Sequence, residues 1–484
     1  MAWKVAFCVV LLAVVAHLLV DPFDISSLTK HKEDFLHRSP FADLQTGNSS
    51  SLSQVLFDAS TSVAGFKRLV AFLESTTNAR ALMGTWVAWV AVAFLASAPW
   101  TLSWAYDYFC CPLELTVSLE DVERRADGKK YPPWERPRRL RGAVPPPYPN
   151  AWYKVCNSHD IPKGESRDFE LLGHFFAVYR GEDGKVRILD AYCPHMGANL
   201  GVTGRVVGNE IACPFHGWQF DGEGKCTHIP YAEKVPGFMK TTAWPSTEMN
   251  GSVMLWHDAE GRPPLWMPSD IKEINSGRYK WHGAALHQVR AHIQEIPENG
   301  PDTAHLNYLH VPLVFRLLNK IGFHHAWEAT WEAGKGVDEH LAFMRVIQSV
   351  EFRGRYIPGT RIDVDIVQVG PSMVHLHFAT PFGKVMLIET VTPVQPLLQR
   401  ITHQVFAEWT VPRFFAKFIM GNTIVQFERD VPIWNNKTYL NNPGLVKEDG
   451  PIAKYRRWFA KNFYSENSEK VARDRAAATG SIDW

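Results

Sequence analysis

Charge of one sign is scarce in this sequence. Its 51 lysines and arginines stand against 50 aspartates and glutamates, a net charge of +1, and such neutrality argues against a nucleic-acid partner, which would call for a large basic excess. Cysteine is scarce too. Seven in 484 residues make no disulfide framework for an extracellular domain and place the bulk of the chain in a reducing compartment. Cys8, Cys110 and Cys111 lie in or beside apolar segments, while Cys156 and Cys226 fall in no pattern. Also missing is a dinucleotide fingerprint. The glycine clusters Gly197 to Gly204 and Gly222 to Gly224 neither match G-x-G-x-x-G nor open a helix after a strand, so the chain has no nicotinamide site of its own.

Hydrophobic residues are plentiful at 46%, enough for two or three domains each with its own core. Two runs of them do not read as globular. Val5 to Val20 is continuously apolar except for His17, and Leu82 to Trp104 carries no charge. The second is long enough to span a bilayer, with Trp86 and Trp89 toward one end and Trp100, Trp104, Tyr106 and Tyr108 at the other, as an interfacial aromatic belt requires. The first lacks a small-x-small cleavage site before Asp21 and reads as an anchor. A basic run, Glu123 to Gly142, follows and puts the remainder on the cytosolic side by the positive-inside rule. The expected division is therefore an anchor at 1–21, a lumenal segment at 22–80 with a usable glycosylation sequon at Asn48, a transmembrane helix at 81–106 and a basic, proline-rich linker at 107–150.

Beyond that linker the pattern changes. From 151 to about 262, short alternating runs punctuated by glycine predict a compact antiparallel β domain, with turns at Gly181 to Gly184 and Asp221 to Gly224. Inside it lie Cys193-x-His195 and Cys213-x2-His216, with seventeen residues between the pairs. Two thiolates and two imidazoles also suit a tetrahedral zinc site. Zinc spacing, however, usually groups cysteine with cysteine and histidine with histidine. Here each loop offers one of each, as a two-iron cluster needs when one iron takes both thiolates and the other both imidazoles. Gly197, Gly201, Gly204 and Gly217 let backbone amides turn toward the bridging sulfurs.

A second constellation lies in Pro297 to Phe315. Pro301 suits the first turn of a helix, with Asn299 or Gly300 just before it; Asp302 and His305 are then neighbours at i, i+3, and His310 falls past a bend or at the helix end. Two histidines and a nearby acid suit a mononuclear Fe(II) that keeps positions open for dioxygen and substrate. Further on, Ile362, Val364 and Ile366 alternate with Asp363 and Asp365, and Val374, Leu376 and Phe378 with His375 and His377, around a Gly370-Pro371-Ser372 turn. That is antiparallel sheet, and its two histidines are expected on a solvated face.

The segments CPHMGANLG and CPFHGWQFD closely resemble the two cluster loops of Rieske-type oxygenases, and NGPDTAHLNYLH fits their mononuclear-iron segment. The resemblance implies an α+β chain: an antiparallel β Rieske domain at 151–262 and a helix-grip (START-like) catalytic domain at 263–484. It implies a [2Fe–2S] cluster with Cys193 and Cys213 on the inner iron and His195 and His216 on the outer one. It further implies His305 and His310 on a mononuclear iron, with Asn299 and Asp302 as catalytic neighbours and Asp302 bridging the two centres across a subunit boundary in a homotrimer. The segment FERDVPIWNNKTY selects Asp430 as third iron ligand, with Glu428 as the alternative. Two membrane segments ahead of one Rieske and one iron domain are similar to the Neverland-type cholesterol 7-desaturases. That similarity implies conversion of cholesterol to 7-dehydrocholesterol with O2 and with NAD(P)H oxidised by a separate reductase, on a chain anchored in the endoplasmic reticulum membrane with its catalytic part in the cytosol. A steroid hydroxylase is the alternative reaction, and an electron-transfer protein with the Rieske site alone is the alternative class.

Overall fold

The computed structural model describes residues 101–103, 105–117, 142–314 and 316–479. The chain divides into two units at Cys111 and Pro112, and of the first only 101–103 and 105–111 are described, helical as far as Cys110. The expected membrane localisation is corrected at this point: among the described residues no helix is long and apolar enough to cross a membrane. Of the two runs that motivated it, Val5 to Val20 lies outside the described residues, as does Leu82 to Trp104 apart from 101–103.

The second unit is organised around a nine-stranded sheet. In order across it run Leu113–Val117, Tyr279–Val289, Leu398–Glu408, Gly383–Gln395, Met373–Thr380, Ile362–Val369, Leu341–Phe352 and Phe323–Ala333, with Arg355–Tyr356 paired off the main path. All neighbours are antiparallel except the first pair, where Leu113–Val117 lies parallel to Tyr279–Val289. A stretch expected to be linker is thus an edge strand of the main sheet. The alternation read from Ile362 to Phe378 is realised as two paired strands around a turn in which Gly370 has φ +62°.

Strand alternation gives the sheet two different faces. One packs on a single long helix, Arg413–Asn436: Ala416, Met420 and Ile424 are fully buried against Ala285, Leu387 and Val405. The other face meets the region of the cysteine–histidine pairs, where Val369 and Met373 share a cluster with Trp152, Met254 and Trp256.

That region, from Ala151 to His257, holds small sheets of four, three and four strands. Its turns are the expected ones, with Gly184 and Gly224 both at φ +81°. Asp221 Oδ1 closes the second turn by accepting from the backbone N–H of Glu223 and Lys225. Besides clusters of their own, around Tyr179 and Phe220 in this region and around Leu387 and Met420 under the long helix, the two parts share a core. Tyr153, Val155, Leu171 and Leu255 share one cluster with Val289, Ile401, Phe427, Val431 and Trp434. The segment after Tyr439 joins in as the helix Gly450–Phe463, whose Tyr455, Trp458 and Phe459 pack with Ala342 and Trp331.

Candidate metal centres

The two cysteine–histidine loops have the same construction. In each, the N–H of the glycine four residues after the cysteine donates to the cysteine carbonyl, Gly197 to Cys193 at 2.9 Å and Gly217 to Cys213 at 3.0 Å. The cysteine N–H in turn donates to the residue five further on, Ala198 at 2.9 Å or Trp218 at 2.7 Å. Closing such a turn puts Gly197 at φ +75° and Gly217 at φ +73°, where a side chain would be strained. Both thiols are buried and beside each other, whereas His195 is exposed and His216 half-buried. Burial first, and Cys213 second, push the Cys193 thiol up to about 12, while backbone hydrogen bonds from His195 and Met196 pull it down. Those backbone groups serve a sulfur that carries negative charge.

The imidazoles meet on the outer side. Their ring centroids are 4.7 Å apart, and His195 stacks on Trp218 at 4.5 Å with an interplanar angle of 8°. Trp218 is held from behind, since its indole N–H donates to the Tyr231 hydroxyl at 2.9 Å. His216 Nδ1 is buried and has no hydrogen-bond partner. An unpaired buried nitrogen beside a second imidazole and two thiols is a donor set that a metal would satisfy.

The second constellation is assembled from distant parts of the chain. The helix expected from Pro301 does not form there. Pro297–Asn299 is a single 3-10 turn, and a four-residue helix, Leu306–Leu309, begins only after His305. The turn between them is closed by Asp302, whose carboxylate accepts from the His305 backbone N–H at 3.3 Å, while its carbonyl is bonded to His305 Nδ1. His310 ends the short helix, and Asp430 reaches it from the long helix. The ligand atoms of His305, His310 and Asp430 all lie within 4.8 Å of one another.

The protonation pattern suits a cation. His310 Nδ1 donates to Gln426 Oε1 at 2.9 Å, and that oxygen also accepts from Arg429 at 2.7 Å. With Nδ1 turned to an acceptor in both rings, to Gln426 in one and to the Asp302 carbonyl in the other, Nε2 is the nitrogen available to a metal. His310 Nε2 then faces Asp430 Oδ1 at 3.3 Å, two electron-rich atoms that a metal ion would bridge. Glu428 points elsewhere, with its carboxylate 3.2 Å from His287 Nε2. Asn299 is half-buried, and no side-chain hydrogen bond is described for it.

Among the described residues no other group of three His, Cys, Asp or Glu side chains converges in this way. Cys193, His195, Cys213 and His216 are thus not drawn together as tightly as these three.

The expectation for His375 is corrected. It is 3% exposed, and burial pushes it down to about 4; only His377 is exposed. By strand register both stand on the face opposite Trp327, whose indole N–H donates to the His310 carbonyl at 3.0 Å, so neither looks toward the metal group. Gln426 and Trp327 were not anticipated. Gln426 carried a signal, since it precedes Asp430 by one helical turn on the same face; Trp327 carried none.

Two family models match in sequence. The Rieske [2Fe-2S] domain matches residues 151–239, and the 3-Ketosteroid 9alpha-hydroxylase C-terminal domain matches residues 255–464. The "Cholesterol 7-desaturase nvd" of Xenopus laevis is 42% identical over 402 residues, covering 80% of this chain and 87% of that protein. The chain belongs to the cholesterol 7-desaturase family of Rieske oxygenases. Other members of this family agree: the "Cholesterol 7-desaturase" of Caenorhabditis elegans is 43% identical, over 72% of this chain and 86% of its own. More distant is the "Probable 3-ketosteroid-9-alpha-monooxygenase, oxygenase component" of Rhodococcus rhodochrous, 34% identical over 67% of this chain and 82% of its own. Among solved structures, NdmA of Pseudomonas putida CBB5, a QL mutant with theobromine, superposes with a TM-score of 0.50 at 18% identity, over 67% of this chain and 93% of that one. That likeness concerns the fold alone.

Proposed function

We propose that this chain is a cholesterol 7-desaturase. Two hydrogens leave C7 and C8 of cholesterol; dioxygen takes two electrons from the sterol and two that originate in NAD(P)H, and leaves as two waters. The observation that carries this reading is the convergence of His305, His310 and Asp430 in a chain that also builds the twin cysteine–histidine loops. The names of the relatives supply the sterol. In this reading Cys193 and Cys213 hold the inner iron of a [2Fe–2S] cluster, His195 and His216 the outer one, and His305, His310 and Asp430 a mononuclear iron. When bound, the cluster supplies electrons singly and the mononuclear iron supplies dioxygen activation.

The protein's own part is placement. Gln426 and the Asp302 carbonyl hold the Nδ1 protons of the two imidazoles, so that Nε2 is the basic nitrogen in each. Asn299 and Asp302 are both half-buried just before His305, and Asp302 would reach a neighbouring subunit of a homotrimer through its carboxylate. A separate reductase oxidises NAD(P)H and reaches the exposed His195 side of the cluster domain. We place that domain at 151–262 and the catalytic domain at 263–484.

The match to a steroid hydroxylase domain favours one second reading, hydroxylation by the same residues. Cells expressing the protein or its Asp430→Ala variant and fed labelled cholesterol separate the two. A wild-type product lighter by two hydrogens, absent from the variant, is expected. A product heavier by one oxygen would replace desaturation with hydroxylation, and the same product from both proteins would remove Asp430 from the chemistry.

A further inference from the structure

Phe323–Ala333 and Leu341–Phe352 are paired so that Gln348 stands directly opposite Trp327. Directly paired residues share a face of the sheet, and the Trp327 indole is bonded to the His310 carbonyl, so this face is turned toward the candidate iron residues. His325, two residues along the strand from Trp327, shares it. Rings in contact link this face to the metal group: the centroids of His310 and Trp327 are 6.4 Å apart and those of Trp327 and His325 5.3 Å. The same register puts Met344, Val346, Val364 and Ile366 on this face, which makes a wall that is largely apolar.

Set in that wall, Gln348 Nε2 and His325 Nδ1 are 2.9 Å apart. The direction of the bond follows from its atoms. His325 is buried, and the atom of Gln348 that faces its Nδ1 is the amide nitrogen, which can donate but not accept. Gln348 must therefore donate its NH2 group to His325 and present its carbonyl oxygen outward. That oxygen has no hydrogen-bond partner among the described residues, and Gln348 is only half-buried.

We infer that Gln348 selects the oxygen function of the substrate: Oε1 accepts a hydrogen bond from the 3β-hydroxyl of a sterol and disfavours a 3-ketone. This rests on the proposed sterol reaction. A hydroxyl can donate to an oriented carbonyl; a ketone opposes it with a second acceptor, and both lose their water without replacement. A site built to bond a hydroxyl discriminates strongly against an analogue that cannot supply it. The geometry is compatible with the reaction. The 3-oxygen of a sterol is on ring A and C7 is on the adjacent ring B, so its partner must stand near the metal group, and Gln348 is tied through His325 to Trp327, whose ring meets His310. His325 is a positioning residue in this account, acting through the amide it orients.

The full-length protein is tested by competition against labelled cholesterol with three probes: cholesterol, its 3-methyl ether, which keeps the ring system but cannot donate, and cholest-4-en-3-one. Wild type is expected to bind cholesterol roughly tenfold or more tighter than either analogue. Gln348→Leu should lose roughly that factor for cholesterol and little for the ether, and in turnover its loss should fall mainly on KM. His325→Phe frees the amide to turn, so the preference for cholesterol over the ketone should fall toward one while both still bind. Equal binding of cholesterol and the methyl ether by wild type, a comparison that needs no variant, overturns the inference, as does an unchanged preference in Gln348→Leu. Failure of wild type to bind any sterol overturns the proposed function along with it, whereas sterol turnover without 3-oxygen selectivity overturns this inference alone.

Discussion

Gln426 lies one helical turn before Asp430, so the long helix presents both to His310, one at each ring nitrogen. Its carbonyl is fixed from behind by Arg429, which also donates to the Pro312 carbonyl at 2.7 Å. The amide therefore determines which nitrogen of His310 carries the proton. Gln426→Leu removes that control and is expected to weaken the mononuclear site by about 10–100-fold in metal affinity. The measurement is iron and acid-labile sulfide per chain. Wild type should hold about three irons, and the variant should fall toward about two with sulfide unchanged. A parallel loss of sulfide would mean that the substitution damages the whole fold. Residues of this kind mark the limit of what the sequence discloses. Cys193, His195, Cys213 and His216 stand out because loop chemistry forces their spacing. Gln426 and Trp327 each act on His310 through one hydrogen bond, and only the placement of other elements decides whether that bond forms.

Among elements, strands were the most legible, because alternation survives in sequence wherever one face is buried. The Pro297 to His310 segment was not. Its proline and spacing fit a helix, yet Asp302 closes a turn on the His305 backbone and the helix starts later. A short polar side chain next to a backbone N–H competes with the helix ladder, and nothing in the spacing weighs that competition. Alternation also misled over His375, because both faces of the Met373–Thr380 strand are covered near its start and only its far end is solvated. This has a pH consequence. His375 is held near 4 against an ordinary 6.5. Above pH 6.5 the ring is neutral whether the chain is folded or not. As the pH falls from 6.5 toward 4, the unfolded chain takes up a proton that the folded one refuses, and stability falls by up to about 1.4 kcal/mol per pH unit from this group. Thermal midpoints at pH 7 and pH 5 should differ less in His375→Phe than in wild type. An equal difference would show that the ring protonates in place.

At the scale of the whole molecule, the two metal-binding parts are one folding unit rather than a pair of beads. A change of pattern between them is legible in sequence, because turn-rich short strands give way to long ones. Their interdependence is not, because a tyrosine or valine facing another domain reads the same as one facing its own. Tyr153, Val155, Leu171 and Leu255 are each at or below 2% exposure in a cluster that Phe427, Val431 and Trp434 help to complete. Further ties cross the boundary. Thr392 Oγ1 donates to the Lys154 carbonyl at 2.9 Å, and Gln404 Nε2 to Asn157 Oδ1 at 3.1 Å. Cutting between 262 and 263 would expose apolar surface on both pieces, at roughly 25 cal/mol per Å² of newly wetted area. The cluster loops themselves hang from a separate core of Tyr179, Leu189, Phe220 and Trp218. An isolated 151–262 piece is therefore expected to form its cluster, seen in its visible absorption, yet to aggregate and to melt well below the full chain. The 263–484 piece, which loses the partners of Phe427 and Trp434 next to Asp430, should fail to retain iron. A 151–262 piece as heat-stable as the whole would mean that the shared cluster contributes nothing to the half that carries the cysteines.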